Sequence, residues 1–313
     1  MQHVWVLHNS LSGSPGSAAQ VERAAEALAR RGVRVRLERP PTIEGLRQAA
    51  RDAIAARAEA VIVAGGDGTL GTIAGELAGS PAALGFLPAG TANVWAKELN
   101  LPRRTWRRPG AFERAALALL EGRARWCDLG RCNGRAFLLW AGVGLDAFVM
   151  HRLDPQRWLS RQFGMAYNTA ATFVIAAAWR GAEMRVAADG GEFAGHYLLA
   201  VASNIRWYGG GLFHMSPHAR LDDGQLDVWL FEGSTYGEAL AHSARMFVGR
   251  HTPHLQVKCL TGERVEIYTP APQVLQTDGE ALPPTDRVSI EVMPRALRVL
   301  VPPQAPPGLF TED

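Results

Sequence analysis

The stretch Val61-Ile62-Val63-Ala64-Gly65-Gly66-Asp67-Gly68-Thr69-Leu70 constrains the fold more than any other part of the chain. Small and β-branched apolar residues read as a buried strand. Glycines follow at once, and then a segment with helical spacing. A strand that runs through glycines into a helix brings backbone N–H groups close to a phosphate. Asp67 narrows the reading. A carboxylate beside phosphates repels them unless a cation lies between, so the stretch points to a metal–nucleotide site.

The flanking chain alternates strand and helix. His3–Leu7, Val33–Leu37 and Ala83–Leu87 read as strands, with helices between them from about Thr42 to Ala58 and around Ile73–Leu77. The strand at 83–87 ends in a second phosphate-friendly loop, Pro88-Ala89-Gly90-Thr91, which leads into a helix from Asn93. Alternation of this kind predicts a parallel sheet covered on both faces, with ligands at the carboxyl ends of its strands. Asn9, Gly66–Thr69 and Gly90–Thr91 all fall at such ends.

The pattern changes near residues 125–130. Cys132-Asn133-Gly134-Arg135 lies between alternating apolar runs, a type I′ hairpin signal. Short strands then dominate, interrupted by helices over about 162–179 and 237–248. The expected fold is an α/β nucleotide-binding domain with a parallel sheet, residues 1–126, plus a mostly antiparallel β-sandwich-like domain, residues 127–301. A segment after about 285 is a candidate to rejoin the first domain. The proline-rich tail 302–313 reads as loose.

Composition sets outer bounds. At 313 residues and 47% hydrophobic content the chain can build full cores. A net charge of +3 does not argue for nucleic acid. No apolar run is long enough for a membrane span, and the three cysteines form no CxxC pair, which fits a reducing cytoplasm. His251-x-x-His254 and His214-x3-His218 have ligand-like spacing but no third ligand at fitting distance, so packing roles are expected. Gly66-Asp67-Gly68-Thr69-Leu70-Gly71 also fits a dinucleotide fingerprint. That reading needs an acid after the next strand to hold the ribose, and Leu87-Pro88-Ala89-Gly90 supplies none.

With both loops in hand, the chain resembles the diacylglycerol kinase catalytic-domain family, in its bacterial soluble lipid kinase form, related to sphingosine kinases. Asn9-Ser10-Leu11-Ser12-Gly13 is similar to the family's first loop, with Ser10 in place of proline. Ala141–Ala147, which contains Asp146, resembles its first β-domain motif. Tyr208-Gly209-Gly210-Gly211, then Pro217, Ala219 and Asp222-Asp223-Gly224, resemble its metal-associated segment, and Asp278-Gly279-Glu280 its C-terminal catalytic motif. The resemblance implies ATP contacts at Asn9, Ser12, Gly13, Thr42, Gly65, Gly66, Asp67, Gly68, Thr69, Leu70, Gly71, Thr72, Gly90, Thr91 and Asn93. It implies a structural Mg²⁺ held by Asp223 with the carbonyls of Arg220 and Gln225. Glu280 falls at the family's proton acceptor, with Asp278 beside it. Asp67 is read as an organiser of the catalytic Mg²⁺ and as the other candidate base.

The resemblance departs at Gly71-Thr72, where relatives continue Asn-Glu, and at Val94-Trp95, where they have Asp-Phe. The expected activity is transfer of the ATP γ-phosphoryl group to a lipid hydroxyl in lipid metabolism, on a cytoplasmic protein peripheral to the inner membrane surface. NAD kinase, which shares the Gly-Gly-Asp-Gly-Thr loop, and a catalytically weak nucleotide- or lipid-binding regulator are the alternatives. For membrane contact the candidates are Arg103, Arg104, Arg107 and Arg108 around Trp106, and the 162–179 helix.

Overall fold

A computed structural model describes residues 1–10, 17–103, 110–153, 174–189, 191–252 and 254–312. Ser12, Gly13, Arg104, Arg107, Arg108 and the 162–173 part of the expected long helix lie outside the described residues.

The chain opens as β1 (His3–His8), α1 (Ser17–Arg30), β2 (Arg34–Glu38), α2 (Ile43–Ala55), β3 (Ala60–Gly65), α3 (Asp67–Leu77) and β4 (Ala83–Pro88). Every residue of β3 and β4 is buried, as their unbroken apolar sequences require in a sheet covered on both faces. These strands pair in parallel in the order β2-β1-β3-β4. β1 therefore has β2 on one side and β3 on the other. The connections leave it in opposite directions, and a crevice opens at the carboxyl ends of β1 and β3.

The short α4 (Val94–Glu98) and α5 (Ala111–Glu121) follow, and then β5 (Arg123–Cys132), β6 (Arg135–Phe137), β7 (Trp140–Gly144) and α6 (Leu145–Leu153). β5 and β6 meet at Asn133-Gly134, whose φ angles of 45° and 84° are those of the expected type I′ turn. The remaining elements are β8 (Ala182–Ala188), β9 (Gly191–Ser203), β10 (Trp207–Tyr208), β11 (Phe213–His214), β12 (Leu226–Glu232), α7 (Tyr236–Phe247), β13 (Val257–Gly262), β14 (Arg264–Thr277) and β15 (Glu280–Val301). Strands β7, β8, β9, β12, β13 and β14 pair antiparallel.

Two cores result. One lies between the parallel sheet and its helices. The other is lined by Val143, Met184, Val186, Tyr197, Leu230, Ile267 and Ile290 inside the antiparallel layers. The 287–293 and 296–301 segments belong to one strand. β15 pairs first with β14, then along β5, and ends parallel to β4 at Arg298↔Ala83 and Val299↔Leu84. A register irregularity between Met293 and Leu297, with Arg295 at φ 48°, lets it bend without breaking.

The tail corrects an expectation. Leu309 and Phe310 are buried in the first core. Leu221 N–H donates to Leu309 O at 2.7 Å, and the Thr311 N–H and hydroxyl donate to Asp222 at 2.6 and 3.0 Å. Prolines remove donors but do not prevent docking. A few apolar side chains and a carboxylate acceptor suffice to pin an extended segment.

Candidate active site

β3 delivers Gly65 and Gly66 to the crevice, and α3 begins at Asp67 with Gly66 extended at its N-cap. The first intrahelical bond is Leu70 N–H to Gly66 O, 3.0 Å. The first-turn N–H groups before it have no acceptor within the helix, an arrangement that favours an anion. The second loop closes on the first. Ala89 and Gly90 N–H both donate to Gly65 O, at 2.9 and 3.0 Å. The two loops touch backbone to backbone, since a Cβ on Gly90 would lie 2.6 Å from Gly66 Cα. Asn93, left-handed at φ 51°, locks the turn. Its Oδ1 accepts Gly90 N–H at 2.9 Å and its Nδ2 donates to Gly90 O at 2.6 Å.

Asp67 joins the two loops. Its carboxylate accepts Val94 N–H at 3.0 Å and Trp95 N–H at 3.2 Å, so it caps the N-terminus of α4. Burial pushes its pKa up, while these backbone donors pull it down. Asn9 Nδ2 donates to the Thr69 hydroxyl at 2.8 Å, tying the end of β1 to α3. The other expected nucleotide residues divide. Thr91 is exposed on the second loop. Leu70 is wholly buried in the core, and Thr72 Oγ1 donates back to Gly68 O at 2.9 Å. Thr42 caps α2, its hydroxyl accepting Gly45 N–H at 3.1 Å.

The antiparallel domain enters from the other side. A Cβ on Gly68 would lie 2.8 Å from Glu280 Oε1, and one on Gly71 would lie 2.0 Å from Asp278 Oδ2. Gly68 and Gly71 are one turn apart, so a single face of α3 receives both carboxylates. Gly71, the departure from the family pattern, is a space requirement imposed by Asp278. Asp278 is itself left-handed at φ 50°. Its carboxylate accepts Leu138 N–H at 2.9 Å, Leu139 N–H at 2.7 Å and Trp140 N–H at 3.3 Å. Burial outweighs these donors and raises its pKa to about 7, with Asp67 adding to the rise. Glu280 is half-exposed and ion-paired with Arg135, the residue that follows the Asn133-Gly134 turn.

Behind this turn lies a relay of hydrogen bonds. Gly279 N–H donates to Gln276 Oε1 at 2.9 Å, and Gln276 Nε2 donates to Asp146 at 2.8 Å. Tyr208 O–H donates to the same Asp146 oxygen at 2.6 Å. The Tyr208-Gly209-Gly210-Gly211 segment is thereby tied to the Asp278–Glu280 turn. Gly211 also faces α4, where its carbonyl accepts Lys97 Nζ, and Lys97 Nζ lies 3.3 Å from the Trp207 ring centroid. Glu98, at the end of α4, is buried. Its Oε2 accepts Arg206 N–H at 3.1 Å, while Oε1 has no partner among the described residues. Burial raises Glu98 to about 7.

The expected structural metal loop is a separate, acidic place. Asp223 Oδ1 accepts Gln225 N–H at 3.1 Å, and Asp128 accepts Gly224 N–H at 2.7 Å and Arg295 N–H at 2.6 Å. Burial raises Asp128 and Asp223, and the neighbouring Asp222 raises both further. Among the described residues no three His, Cys, Asp or Glu side chains gather as a metal cluster, so a cation here would rest on one carboxylate and on the carbonyls of Arg220 and Gln225 assigned by resemblance. Of the histidines with ligand-like spacing, His251 is packed, its Nε2 meeting Met215 O at 2.8 Å beside the Trp229 ring, while His218 is exposed.

Sequence reasoning missed Arg135, Asp128, Gln276 and Glu98. Arg135 was legible only as part of a hairpin, and the other three gain meaning only from partners distant in the chain.

The fold and site define a two-domain protein whose glycine-rich phosphate cradle on an α/β domain is met by carboxylates from a β domain. Comparisons place it further. Residues 3–132 match the model of the diacylglycerol kinase catalytic domain. Residues 140–301 match the YegS C-terminal NAD kinase beta sandwich-like domain. A diacylglycerol kinase of Mycobacterium tuberculosis is 31% identical over 305 residues, covering 96% of this chain and 95% of that protein. A Pseudomonas aeruginosa protein named "Probable lipid kinase YegS-like" is also 31% identical, with 96% and 94% covered. A solved structure described as a diacylglycerol kinase from Bacillus anthracis superposes with a TM-score of 0.68 at 17% identity, covering 97% of this chain and 98% of that one. Another from the same organism reaches 0.77 at 19%, covering 97% and 99%; at these identities the likeness shows the fold alone. The chain belongs to the diacylglycerol kinase catalytic-domain family of lipid kinases.

Proposed function

We propose that the chain transfers the γ-phosphoryl group of ATP to a hydroxyl of a glycerolipid or sphingoid lipid, with Glu280 as proton acceptor. The observation that carries this is the approach of Glu280, from the β domain, to Gly68 in the first turn of α3, 2.8 Å from a Cβ built there. A lipid hydroxyl held beside Glu280 would attack the γ-phosphorus as the bond to the ADP oxygen breaks. Its proton would pass to Glu280, and the charge on the leaving phosphate would fall against the helix N-terminus. Mg²⁺ bound with ATP supplies charge neutralisation. Asp67 holds the two loops together, Thr91 and the first-turn N–H groups face the nucleotide, and Arg135 orients Glu280. Asp223, with the carbonyls of Arg220 and Gln225, would hold a second Mg²⁺ that braces the β domain.

The test offers purified protein, Mg²⁺ and labelled ATP to diacylglycerol, sphingoid bases, ceramide, phosphatidylglycerol and NAD in parallel. Label in one or more lipids is the expected result. Label in NAD alone overturns the proposal. Label nowhere, with ATP still bound, assigns the chain to a regulator on the same fold. For the metal, Mg²⁺ should raise the melting temperature of the wild type and fail to do so in Asp223→Ala.

A further inference from the structure

Helix α7 carries two apolar stripes, and only one has a partner in the fold. Ala239, His242 and Met246 are buried against the β domain. On the opposite side Leu240, Ala244, Phe247 and Val248 recur at i, i+4, i+7 and i+8, and all four are exposed. Phe247 and Val248 are 71% and 63% exposed. The chain then turns back beside the helix, the His254 ring lying 6.2 Å from that of His242, and puts Leu255 at a tip where it is 90% exposed. Scattered surface apolar residues need no explanation, but an exposed helical stripe with a further exposed apolar tip nearby marks an interaction face.

Its rim is cationic. Arg245 and Arg250 have no ion-pair partner among the described residues, whereas the nearby acids are engaged. Glu238 is bound in the Thr235 capping box, and Glu232 pairs with Lys258. The helix is also linked to the turn that meets α4. α7 packs on β11, and β11 pairs with β10. Between these two strands runs the Gly209–Gly211 turn that meets α4, followed by Leu212, itself 65% exposed.

We infer that the face formed by Leu240, Phe247, Val248 and Leu255, with Arg245 and Arg250 at its rim, seats the protein on an anionic lipid bilayer. Apolar side chains flanked by arginines suit the boundary between acyl chains and headgroups. The apolar groups enter, and the guanidinium groups stay at the phosphate level. A bilayer is the occupant chosen because the unpaired arginines at the rim match anionic headgroups. The inference rests on the lipid-kinase reading for its purpose, but its test does not need turnover.

Vesicles of phosphatidylcholine, with and without phosphatidylglycerol, are sedimented with the wild type, with F247S/V248S/L255S and with R245S/R250S, after thermal melts show each variant folded. The expected result is wild-type binding that depends on phosphatidylglycerol. The apolar variant should lose at least about tenfold in affinity, as removal of several buried apolar side chains requires. The arginine variant should lose the dependence on anionic lipid. Phosphorylation of a short-chain, dispersed diacylglycerol should be unchanged in both variants, while that of long-chain lipid in vesicles falls. If the apolar triple variant fails to fold, the arginine pair and Leu240→Ser alone carry the same comparison. Undiminished vesicle binding overturns the inference. So does light scattering that shows a wild-type dimer which the apolar variant dissociates, since the face would then join two copies of the chain. If no lipid is phosphorylated yet binding follows the expected pattern, the function is wrong and the docking face stands.

Discussion

At the residue scale, two glycines one turn apart on α3 determine whether the β domain can close on the phosphate cradle. Gly71 leaves no room for a side chain, with Asp278 Oδ2 2.0 Å from a built Cβ. Gly71→Ala should therefore destabilise the protein by about 1–3 kcal/mol, the usual scale of overpacking, and lower turnover by displacing the Asp278–Glu280 turn. Denaturant melts and a labelled-ATP assay check both effects. Asp67 performs a capping task through Val94 and Trp95. Asp67→Asn should cost about 1 kcal/mol of stability and most of the activity, because the second loop loses its anionic anchor. The strand–glycine–helix arrangement was legible from local chemistry, since a buried strand, glycines and a helix start are contiguous. The role of Gly71 was not, because its reason lies in a side chain about two hundred positions away in the sequence.

At the element scale, α4 links the two domains. Its N-terminus is held by Asp67, and its far end carries Lys97 and Glu98 into the β10–β11 hairpin. Glu98 is raised by burial from 4.5 to about 7, and Asp278 from 3.8 to about 7. For an acid whose folded value is raised, the folded state holds its proton more tightly than the unfolded chain does. The stabilising contribution is complete below the unfolded value and is lost as pH rises through the folded one. Melting temperature should thus fall between about pH 4.5 and about pH 7–8 from these groups. Glu98→Gln should flatten part of that slope. An unaltered slope would show that Glu98 does not titrate in this range. The Asn133-Gly134 hairpin and the strand alternation were readable as local signals. The tie between α4 and the hairpin was not, because periodicity says nothing about which elements meet.

At the scale of the whole molecule, one strand and one tail join what composition and pattern suggest are separate halves. β15 begins at Glu280 in the active site and ends beside β4 in the parallel sheet. The tail returns to bury Leu309 and Phe310 and to satisfy Asp222 next to the acidic loop. Deleting residues 305–313 should cost about 3–6 kcal/mol, the burial of two large apolar side chains, and should weaken Mg²⁺-dependent stabilisation if the loop at Asp223 holds the ion. Calorimetry with and without Mg²⁺ reads both. The central claim is that the catalytic centre is shared, with the phosphate cradle on one domain and the proton acceptor on the other. Single-turnover phosphoryl transfer by Glu280→Gln, alongside its ATP affinity, tests this most directly. The expected result is transfer slowed by about 10²–10⁴ with ATP binding and melting temperature unchanged. Transfer at the wild-type rate would contradict it.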